Sequence, residues 1–377
     1  MKKRISTIVC AALAALTVSG CSDWVTSEPL NKESENIHGE DYYEALREYR
    51  KSDHVKSFGW YSSWTALGSD MKNYLIGLPD SLDIVSHWYP AESYAEPLTD
   101  AQKEDLKAMD RRGTKVLFCL FFKDLGFRMT PGVEVAENKD PSEEYKALMR
   151  KTWGWYERDY DGSAEADAAI AKYADALARY VIDNGYDGID FDYEVNYGER
   201  GNIVESTKAL HVLLTALSRH MGPKSGSGLI LAVDGEPQTL AAESGPLLDY
   251  YIIQAYYCPG DSDLDSRFNG LFNKFKDVED EATVLRKLIW TEDFERYQDG
   301  KCNFAFRSGH KNPGLDKDGN PRTSTPYSID GMARYYRDIN GEMVKIGGYG
   351  AYRFELKGAS DEYLLYRYLM RGEVIPE

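Results

Sequence analysis

Short runs of β-forming residues alternate along this chain with stretches in which apolar residues recur every three or four positions. The first pattern predicts strands, and the second predicts helices that bury one face. This alternation predicts an α/β fold with a parallel sheet, and eight strands is the number that a closed (β/α)8 barrel needs. The predicted strands are Lys56–Tyr61, Leu82–Trp88, Lys115–Phe122, Gly188–Glu194, Leu229–Val233, Tyr250–Tyr256, Lys287–Thr291 and Lys345–Tyr352. The predicted helices are Asp100–Arg112, Ala164–Asn184, Glu205–His220, Ser328–Ile339 and Tyr363–Leu369.

The octapeptide 187–194, Asp-Gly-Ile-Asp-Phe-Asp-Tyr-Glu, is the most informative segment. Its last three acids, Asp190, Asp192 and Glu194, alternate with apolar residues, so they share one face of a strand within ~13 Å. Acids this close repel one another, so stability alone does not select them. A solvated acidic edge or a calcium site is the structural alternative, although calcium loops favour turns over strands. The cluster suits acid catalysis on a sugar, which needs a protonated carboxyl beside an ionised one.

The octapeptide resembles the catalytic signature DGxDxDxE of glycoside hydrolase family 18, which includes chitinases and endo-β-N-acetylglucosaminidases. All five fixed positions are present: Asp187, Gly188, Asp190, Asp192 and Glu194. The resemblance implies a (β/α)8 barrel with this motif on strand four. It also implies a retaining mechanism in which the 2-acetamido group of the substrate is the nucleophile. Glu194 is then the general acid and base, Asp192 orients the acetamide and stabilises the oxazolinium ion, and Asp190 supports Asp192.

The sixth predicted strand brings two polar side chains, Gln254 and Tyr256, to one face near its C-terminal end. Such side chains on an apolar strand indicate a site rather than a core. In the family, a tyrosine here hydrogen-bonds the acetamide carbonyl, and Tyr256 matches it; the Gln-x-Tyr pattern resembles the endo-β-N-acetylglucosaminidase branch. Tyr352 stands where the family usually has tryptophan, and its ring is expected to form the floor of the acetamide subsite. Three further residues near strand ends are expected to contact substrate: Trp88, Asp234 and Trp290.

An insertion of about forty residues, 123–163, follows the third predicted strand and is too long for a plain connection. It leaves that strand at the end where barrels build their active sites, and it is rich in aromatic residues. One hypothesis is a wall or lid in which Trp153 and Trp155 stack on sugar rings. The other is a small core that packs against a barrel helix.

The first twenty residues are predicted to be a lipoprotein signal peptide. Basic residues precede an apolar run that is too short to span a membrane, and the run ends in Val-Ser-Gly before Cys21. This ending resembles a bacterial lipobox with Cys21 as the lipidated residue; an ordinary signal peptide cut nearby is the alternative. Residues 21–50 are then a polar tether and residues 51–377 the catalytic domain. The expected location is the cell envelope, on the outer membrane and facing the surface.

Charge and cysteine content limit the ligands, metals and disulfides that can be expected. The formal net charge is −17, and it becomes −20 without the three cations of the signal peptide, which argues against nucleic acid and polyanionic glycans. No cofactor is expected, and no CxxC or His-rich spacing supports a metal site. Cys119 is expected to be a buried apolar residue. Whether Cys258 and Cys302 pair is left open by the sequence.

These observations predict an endo-β-N-acetylglucosaminidase that cuts the β-1,4 bond between the two core N-acetylglucosamines of N-linked glycans. The combination of a lipobox and a glycan enzyme resembles Bacteroides-type glycan utilisation systems, and a monomer is expected. One alternative is a chitinase or chitooligosaccharide hydrolase, and another is a non-catalytic glycan-binding lipoprotein. The sequence leaves open whether high-mannose, hybrid or complex glycans are preferred.

Overall fold

The computed structural model describes ten stretches of the chain: residues 38–80, 82–88, 97–122, 125–126, 129–131, 142–155, 160–195, 206–297, 301–355 and 359–375. The chain divides into two units, Met1–Tyr42 and Tyr43–Glu377, and the second contains the barrel. The predicted signal peptide and Cys21 lie outside the described residues. In those ten stretches, no helix has both the length and the apolar composition of a membrane span.

Eight parallel strands close into a barrel in the order β1-β12-β7-β6-β5-β4-β3-β2. This confirms the predicted fold class, with strand bounds that differ from the prediction by a few residues. The strands are β1 Lys56–Tyr61, β2 Ile84–His87, β3 Lys115–Phe121, β4 Gly188–Tyr193, β5 Ile230–Gly235, β6 Tyr250–Gln254, β7 Leu288–Asp293 and β12 Gly348–Tyr352.

Capping residues set the bounds of the helices that the sequence predicts best. The side chain of Thr99 accepts from the backbone N–H of Gln102 at the start of α2, and Gly113 ends that helix in the left-handed region. Ser163 and Gly185 do the same for α4. The helices are α1 Glu40–Lys51, α2 Asp100–Arg112, α3 Glu143–Trp153, α4 Ala164–Asn184, α5 Thr207–Leu217, α6 Asp261–Phe275, α7 Glu281–Lys287, α8 Ser328–Ala333 and α9 Ala359–Met370. Short 3-10 helices span Met71–Asn73, Leu75–Gly77, Pro237–Thr239 and Ala242–Leu247.

Two small antiparallel sheets of two strands each lie between β7 and β12 along the chain. The first pairs β8 (Phe304–Ala305) with β9 (Ser324–Thr325), and the second pairs β10 (Tyr336–Ile339) with β11 (Glu342–Lys345). The predicted helix Ser328–Ile339 is therefore wrong beyond Ala333. Asn340 and Gly341 both have positive φ and form the two-residue turn that joins β10 to β11, and Asn-Gly is a strong hairpin signal.

Part of the predicted tether is helical and belongs to the barrel unit. Tyr43 is buried beneath the guanidinium of Arg111, which lies 4.4 Å from its ring centroid. Arg50 donates to a carboxylate oxygen of Asp83 over 3.0 Å and to the Arg112 carbonyl over 2.9 Å. These contacts fix the C-terminal part of α1 to the barrel, so residues that pack with the barrel already occur before residue 51, the predicted start of the catalytic domain.

The barrel interior and the layer between strands and helices form separate apolar clusters. Alternation along each strand sends one residue inward and the next outward toward the helices. The inward cluster is formed by Phe58, Trp60, Ile84, Leu117, Cys119, Ala232, Ile252 and Ile289. Any polar side chain that faces inward among these residues lies in a nearly dry environment.

Candidate active site

The first two residues of the acidic motif hold β4 in place. The carboxylate of Asp187 accepts from the Val116 backbone N–H over 2.9 Å, and its carbonyl accepts from the Ile230 N–H over 2.8 Å. Gly188 has φ +150, and a Cβ there would lie 2.1 Å from the Ile230 carbonyl oxygen. A side chain at position 188 would therefore push β4 away from β5. Asp187 and Gly188 position the strand from which the acids project.

Asp190 lies in the barrel interior and is fully buried. One of its carboxylate oxygens accepts from Trp60 Nε1 over 2.9 Å and from Ser86 Oγ over 2.7 Å. Burial raises the pKa of Asp190 to about 6, although both hydrogen bonds favour the ionised form. The sequence did not single out Ser86. The available signal was a hydroxyl residue two positions after Ile84, on the inward side of a fully buried strand.

Asp192 and Asp234 are register neighbours on β4 and β5. Asp192 is 7% exposed and Asp234 only 1%, and Asp234 accepts from Gln254 Nε2 over 3.3 Å. Burial is the main cause that raises the pKa of Asp234 well above its ordinary value, and the negative charges of Asp192 and Asp190 add to it. The side chain of Asp234 thus lies beneath the surface among the other acids, and not at the rim where the sequence analysis placed it.

Glu194 follows the last residue of β4, at the C-terminal mouth of the barrel, and is half-buried. The backbone on both sides of it is fixed by the next loop. The Glu236 N–H donates to the Tyr193 carbonyl over 2.9 Å, and the Glu236 carboxylate accepts from the Val195 N–H over 3.1 Å. Gly235 has φ +84, and a Cβ there would lie 2.6 Å from the Tyr193 carbonyl oxygen. This close approach keeps Glu194 at the entrance.

Four aromatic rings from different strands gather near the acids. The Tyr352 ring lies next to the other three. Its centroid is 5.1 Å from that of Trp88, 6.2 Å from that of Tyr256 and 6.4 Å from that of Trp60. Burial, followed by the charges of nearby acids, raises the pKa of Tyr256 well above its ordinary value. Its hydroxyl therefore stays protonated and able to donate. The sequence-predicted residues Trp88, Tyr256 and Tyr352 are thus brought together at the mouth, and their roles stay predictions.

The loop that carries Tyr256 is held in a strained conformation by Glu292. The next residue, Tyr257, has φ +62, which lies in the left-handed region that residues other than glycine rarely adopt. Its N–H donates to Glu292 over 3.0 Å, and its hydroxyl donates to Asp293 over 2.7 Å. Glu292 is fully buried and also accepts from the Asp293 N–H over 2.8 Å and from the Ser328 hydroxyl.

Three predicted sugar contacts are instead buried packing residues, which corrects the sequence expectation. Trp290 is fully buried on the outward side of β7, with its ring edge against Tyr335. Trp153, at the end of α3, packs its ring edge against Tyr173 of α4 and is 6% exposed. Trp155 is 9% exposed. The part of the insertion that the structure describes therefore matches the small-core hypothesis rather than the sugar-binding wall.

Cys119, as expected, is buried in the barrel interior. Its Sγ and one carboxylate oxygen each of Asp190 and Asp234 lie within 4.8 Å of one another. Burial raises the pKa of Cys119 well above its ordinary value, so it is present as a thiol. Among the described cysteines, Cys258 and Cys302 are also free, which settles the pairing that the sequence left open.

An eight-stranded parallel barrel with a carboxylate-rich mouth at β4 and aromatic rings around it defines a glycoside hydrolase of the barrel type. The chain belongs to glycoside hydrolase family 18, because the family model described as "Glycoside hydrolase family 18, BT1044-like" matches residues 22–375. The match confirms the resemblance seen in the octapeptide.

Individual relatives agree with this assignment. Endo-beta-N-acetylglucosaminidase F2 of Elizabethkingia meningoseptica is 28% identical over 218 residues, which are 55% of this chain and 52% of that protein. The match thus spans about half the length of this curated relative. The solved structure titled BT1044SeMet, a Glu-to-Gln variant, has a TM-score of 0.62 and 28% identity, covering 88% of this chain and 92% of that chain.

A more distant solved structure is similar to this chain in fold. The endo-beta-N-acetylglucosaminidase from Cordyceps militaris, solved as a double mutant in complex with fucosyl-N-acetylglucosamine-Asn, has a TM-score of 0.53 and 19% identity. The match covers 90% of this chain and 97% of that chain.

Proposed function

We propose that this protein is an endo-β-N-acetylglucosaminidase that cuts between the two core N-acetylglucosamines of N-linked glycans. The observation that carries the proposal is the arrangement at the mouth, where Asp192 of β4 and Glu194 just after that strand accompany Tyr256 of the β6 loop. The similarity to endo-beta-N-acetylglucosaminidase F2 supports this choice of substrate. The Gln-x-Tyr pattern of residues 254–256 also supports it, since chitinases more often carry Met-x-Tyr-Asp there.

The proposed reaction needs no nucleophile from the protein. Glu194 donates its proton to the glycosidic oxygen as the bond from C1 to that oxygen breaks, and the acetamide carbonyl oxygen bonds to C1 to form an oxazolinium ion. Asp192, ionised, accepts from the acetamide N–H and stabilises the positive charge. Tyr256, which stays protonated, donates to the acetamide carbonyl oxygen and orients it. Glu194 then takes a proton from water as the water attacks C1 and the bond from C1 to the acetamide oxygen breaks, so the acetamide is regenerated and the anomeric configuration is retained.

The rings above the acids suit the apolar face of a pyranose. Tyr352 and Trp88 are partly exposed, while Trp60 beneath them is nearly buried and anchors Asp190. In the proposed complex, Tyr352 lies under the N-acetylglucosamine whose glycosidic bond is cleaved. A tyrosine in place of the usual tryptophan covers less of the sugar, so this subsite has more room.

The test uses a defined asparagine-linked glycopeptide and chitotetraose side by side, with products identified by mass spectrometry. The expected products are an intact glycan ending in one reducing N-acetylglucosamine and a peptide that keeps the other. The Glu194→Gln variant serves as the matched control for contaminating activity. Efficient cleavage of chitotetraose with the glycopeptide untouched would favour a chitinase instead. Competitive inhibition by a thiazoline analogue of N-acetylglucosamine is expected from substrate assistance, and a covalent sugar trapped on a carboxylate would contradict it.

We also propose that the protein is exported and anchored through lipid on Cys21, with the barrel at the cell surface. The motif before Cys21 supports this, and the family match begins at residue 22. In cells fed a radiolabelled fatty acid, the wild-type protein should carry the label and be recovered in the membrane fraction. The Cys21→Ala variant should lose the label. Equal labelling of both proteins would contradict the assignment of Cys21.

A further inference from the structure

Asp234 poses an electrostatic problem that the proposed reaction does not solve. It is 1% exposed and lies among acids of β4, where Asp190 is fully buried and Asp192 is its register neighbour. Ionised carboxylates brought together out of water repel strongly and lose their hydration, so buried acids at such distances share protons. One member of the group must therefore be neutral at the pH where the protein works.

The hydrogen bonds indicate where the proton belongs. One oxygen of Asp190 already accepts from Trp60 and Ser86, as an ionised carboxylate would, and one oxygen of Asp234 accepts from Gln254. Among the described residues, the second oxygens of Asp190 and Asp234 are buried without a hydrogen-bond partner. An oxygen of each carboxyl lies within 4.8 Å of the other carboxyl. A proton on the second oxygen of Asp234 would give both of these atoms a partner after a small movement.

We propose that Asp234 is a positioning residue, held as a neutral carboxylic acid that donates its proton to Asp190. The inference rests on the proposed function, because its role is to keep the acids of the motif in the state that substrate assistance requires. Asp190 then accepts from three donors and stays ionised in the barrel interior. With the proton fixed on Asp234, Asp192 needs no proton from Asp190 and is free to carry negative charge toward the acetamide.

The surrounding groups favour this state. Asp190, Asp192 and Glu194 face Asp234 from β4, and all three raise its pKa after burial has done so. From β3, Cys119 contributes a thiol, and from the β6 loop Tyr256 contributes a protonated hydroxyl. The interaction between Asp190 and Asp234 lowers the pKa of Asp190 and raises the pKa of Asp234. The stronger acid of the pair is therefore Asp190.

Two substitutions separate a neutral hydrogen-bond donor from a carboxylate. In Asp234→Asn the carbonyl oxygen still accepts from Gln254 and the amide N–H replaces the acid O–H toward Asp190. We expect its kcat on the glycopeptide to stay within about tenfold of the wild type. Asp234→Ala removes the donor to a buried charge, so its kcat should fall by a further factor of about 10–100. KM should change little in both, because Asp234 does not touch the sugar.

A spectroscopic measurement tests the proton directly and does not depend on turnover. Isotope-edited infrared spectra of the wild type at neutral pH should show a protonated carboxyl band that disappears in Asp234→Asn. Absence of that band, or equal losses of kcat in Asn and Ala variants that remain folded, would overturn the inference. Loss of wild-type activity on dialysis against EDTA would also overturn it, because a cation would then bridge the acids.

These outcomes are distinguishable from failure of the proposed function. A protein that leaves the glycopeptide intact but shows the Asp234 band refutes the proposed substrate and supports the assignment of the proton. A protein that cleaves the glycopeptide and lacks the band does the reverse.

Discussion

Replacing Asp190 by asparagine should make the barrel more stable at neutral pH relative to the wild type, and this gain should disappear in acid. Asparagine keeps the size of the side chain and an oxygen that accepts from Trp60 and Ser86. What it removes is the charge that the wild-type protein must bury. The change therefore removes the cost of ionising Asp190 inside the barrel, together with one of the charges that raise the pKa of Asp234.

The sign and size follow from the pKa. Burial raises the pKa of Asp190 from 3.8 to about 6, so the folded state binds the proton more tightly than the unfolded state does. The contribution to stability is therefore present below about pH 4 and is lost as the pH rises through about 6. A difference of about two in pKa corresponds to about 3 kcal/mol. With an unfolding entropy of ~2.1 cal/mol/K per residue, this is a shift of about 4 °C in Tm for a unit of this length.

The assay is thermal unfolding of both proteins at about pH 4 and about pH 7.5, followed by circular dichroism. The Tm of Asp190→Asn minus that of the wild type should be larger at the higher pH by about 4 °C. Asp183→Asn, which removes an exposed carboxylate at the end of α4, is the control and should show a much smaller change. A difference for Asp190→Asn that is independent of pH would refute the conclusion that Asp190 titrates near pH 6.

Three further substitutions test the proton donor, the packing of Trp153 and the loop that carries Tyr256. Glu194→Gln should lower kcat by roughly 10²–10⁴ and leave Tm unchanged, since it removes the proton donor, and near-wild-type turnover would take Glu194 out of that role. Trp153→Ala should destabilise the fold by about 3–5 kcal/mol in thermal unfolding, because its ring packs on Tyr173, while KM for the glycopeptide stays the same; a raised KM with an unchanged Tm would restore the sugar-contact hypothesis. Glu292→Leu should lower both Tm and kcat, because the backbone N–H groups of Tyr257 and Asp293 lose their acceptor and the loop with Tyr256 is released, whereas Glu295→Gln at an exposed position should change neither.

The fold was predictable because its signals are local and repeated. The helices Asp100–Arg112 and Ala164–Asn184 have the predicted bounds, since each begins after a hydroxyl cap and ends before a glycine. The helix predicted over Ser328–Ile339 fails for the opposite reason. Its apolar spacing continues past Ala333, where the helix ends. The competing signal was the Asn-Gly pair of the turn, which directly follows Ile339, the last residue of the predicted helix. Turn chemistry prevailed over helical periodicity there.

The acids were predictable in position but not in environment. Strand alternation places Asp190, Asp192 and Glu194 on one side of β4, but it does not tell how deep each one lies. Asp234 and Trp290 were both expected at the rim because each lies near a predicted strand end. Asp234 faces inward beneath the mouth, and Trp290 faces outward toward Tyr335. Their surroundings come from residues distant in the sequence, which single-strand periodicity does not contain.

Hydrogen bonds and ring contacts across the barrel also have a consequence for the order of folding. Asp190 on β4 receives its donors from Trp60 on β1 and Ser86 on β2, and Trp60 in turn contacts Tyr352 on the last strand, which pairs with the first. Partners this far apart along the chain meet late, because the loops between them must close first. A barrel in which β1 has not yet paired with β12 therefore lacks the contact between Trp60 and Tyr352. Activity recovered during refolding should appear together with pairing of β1 and β12, which makes turnover a kinetic reporter of barrel closure.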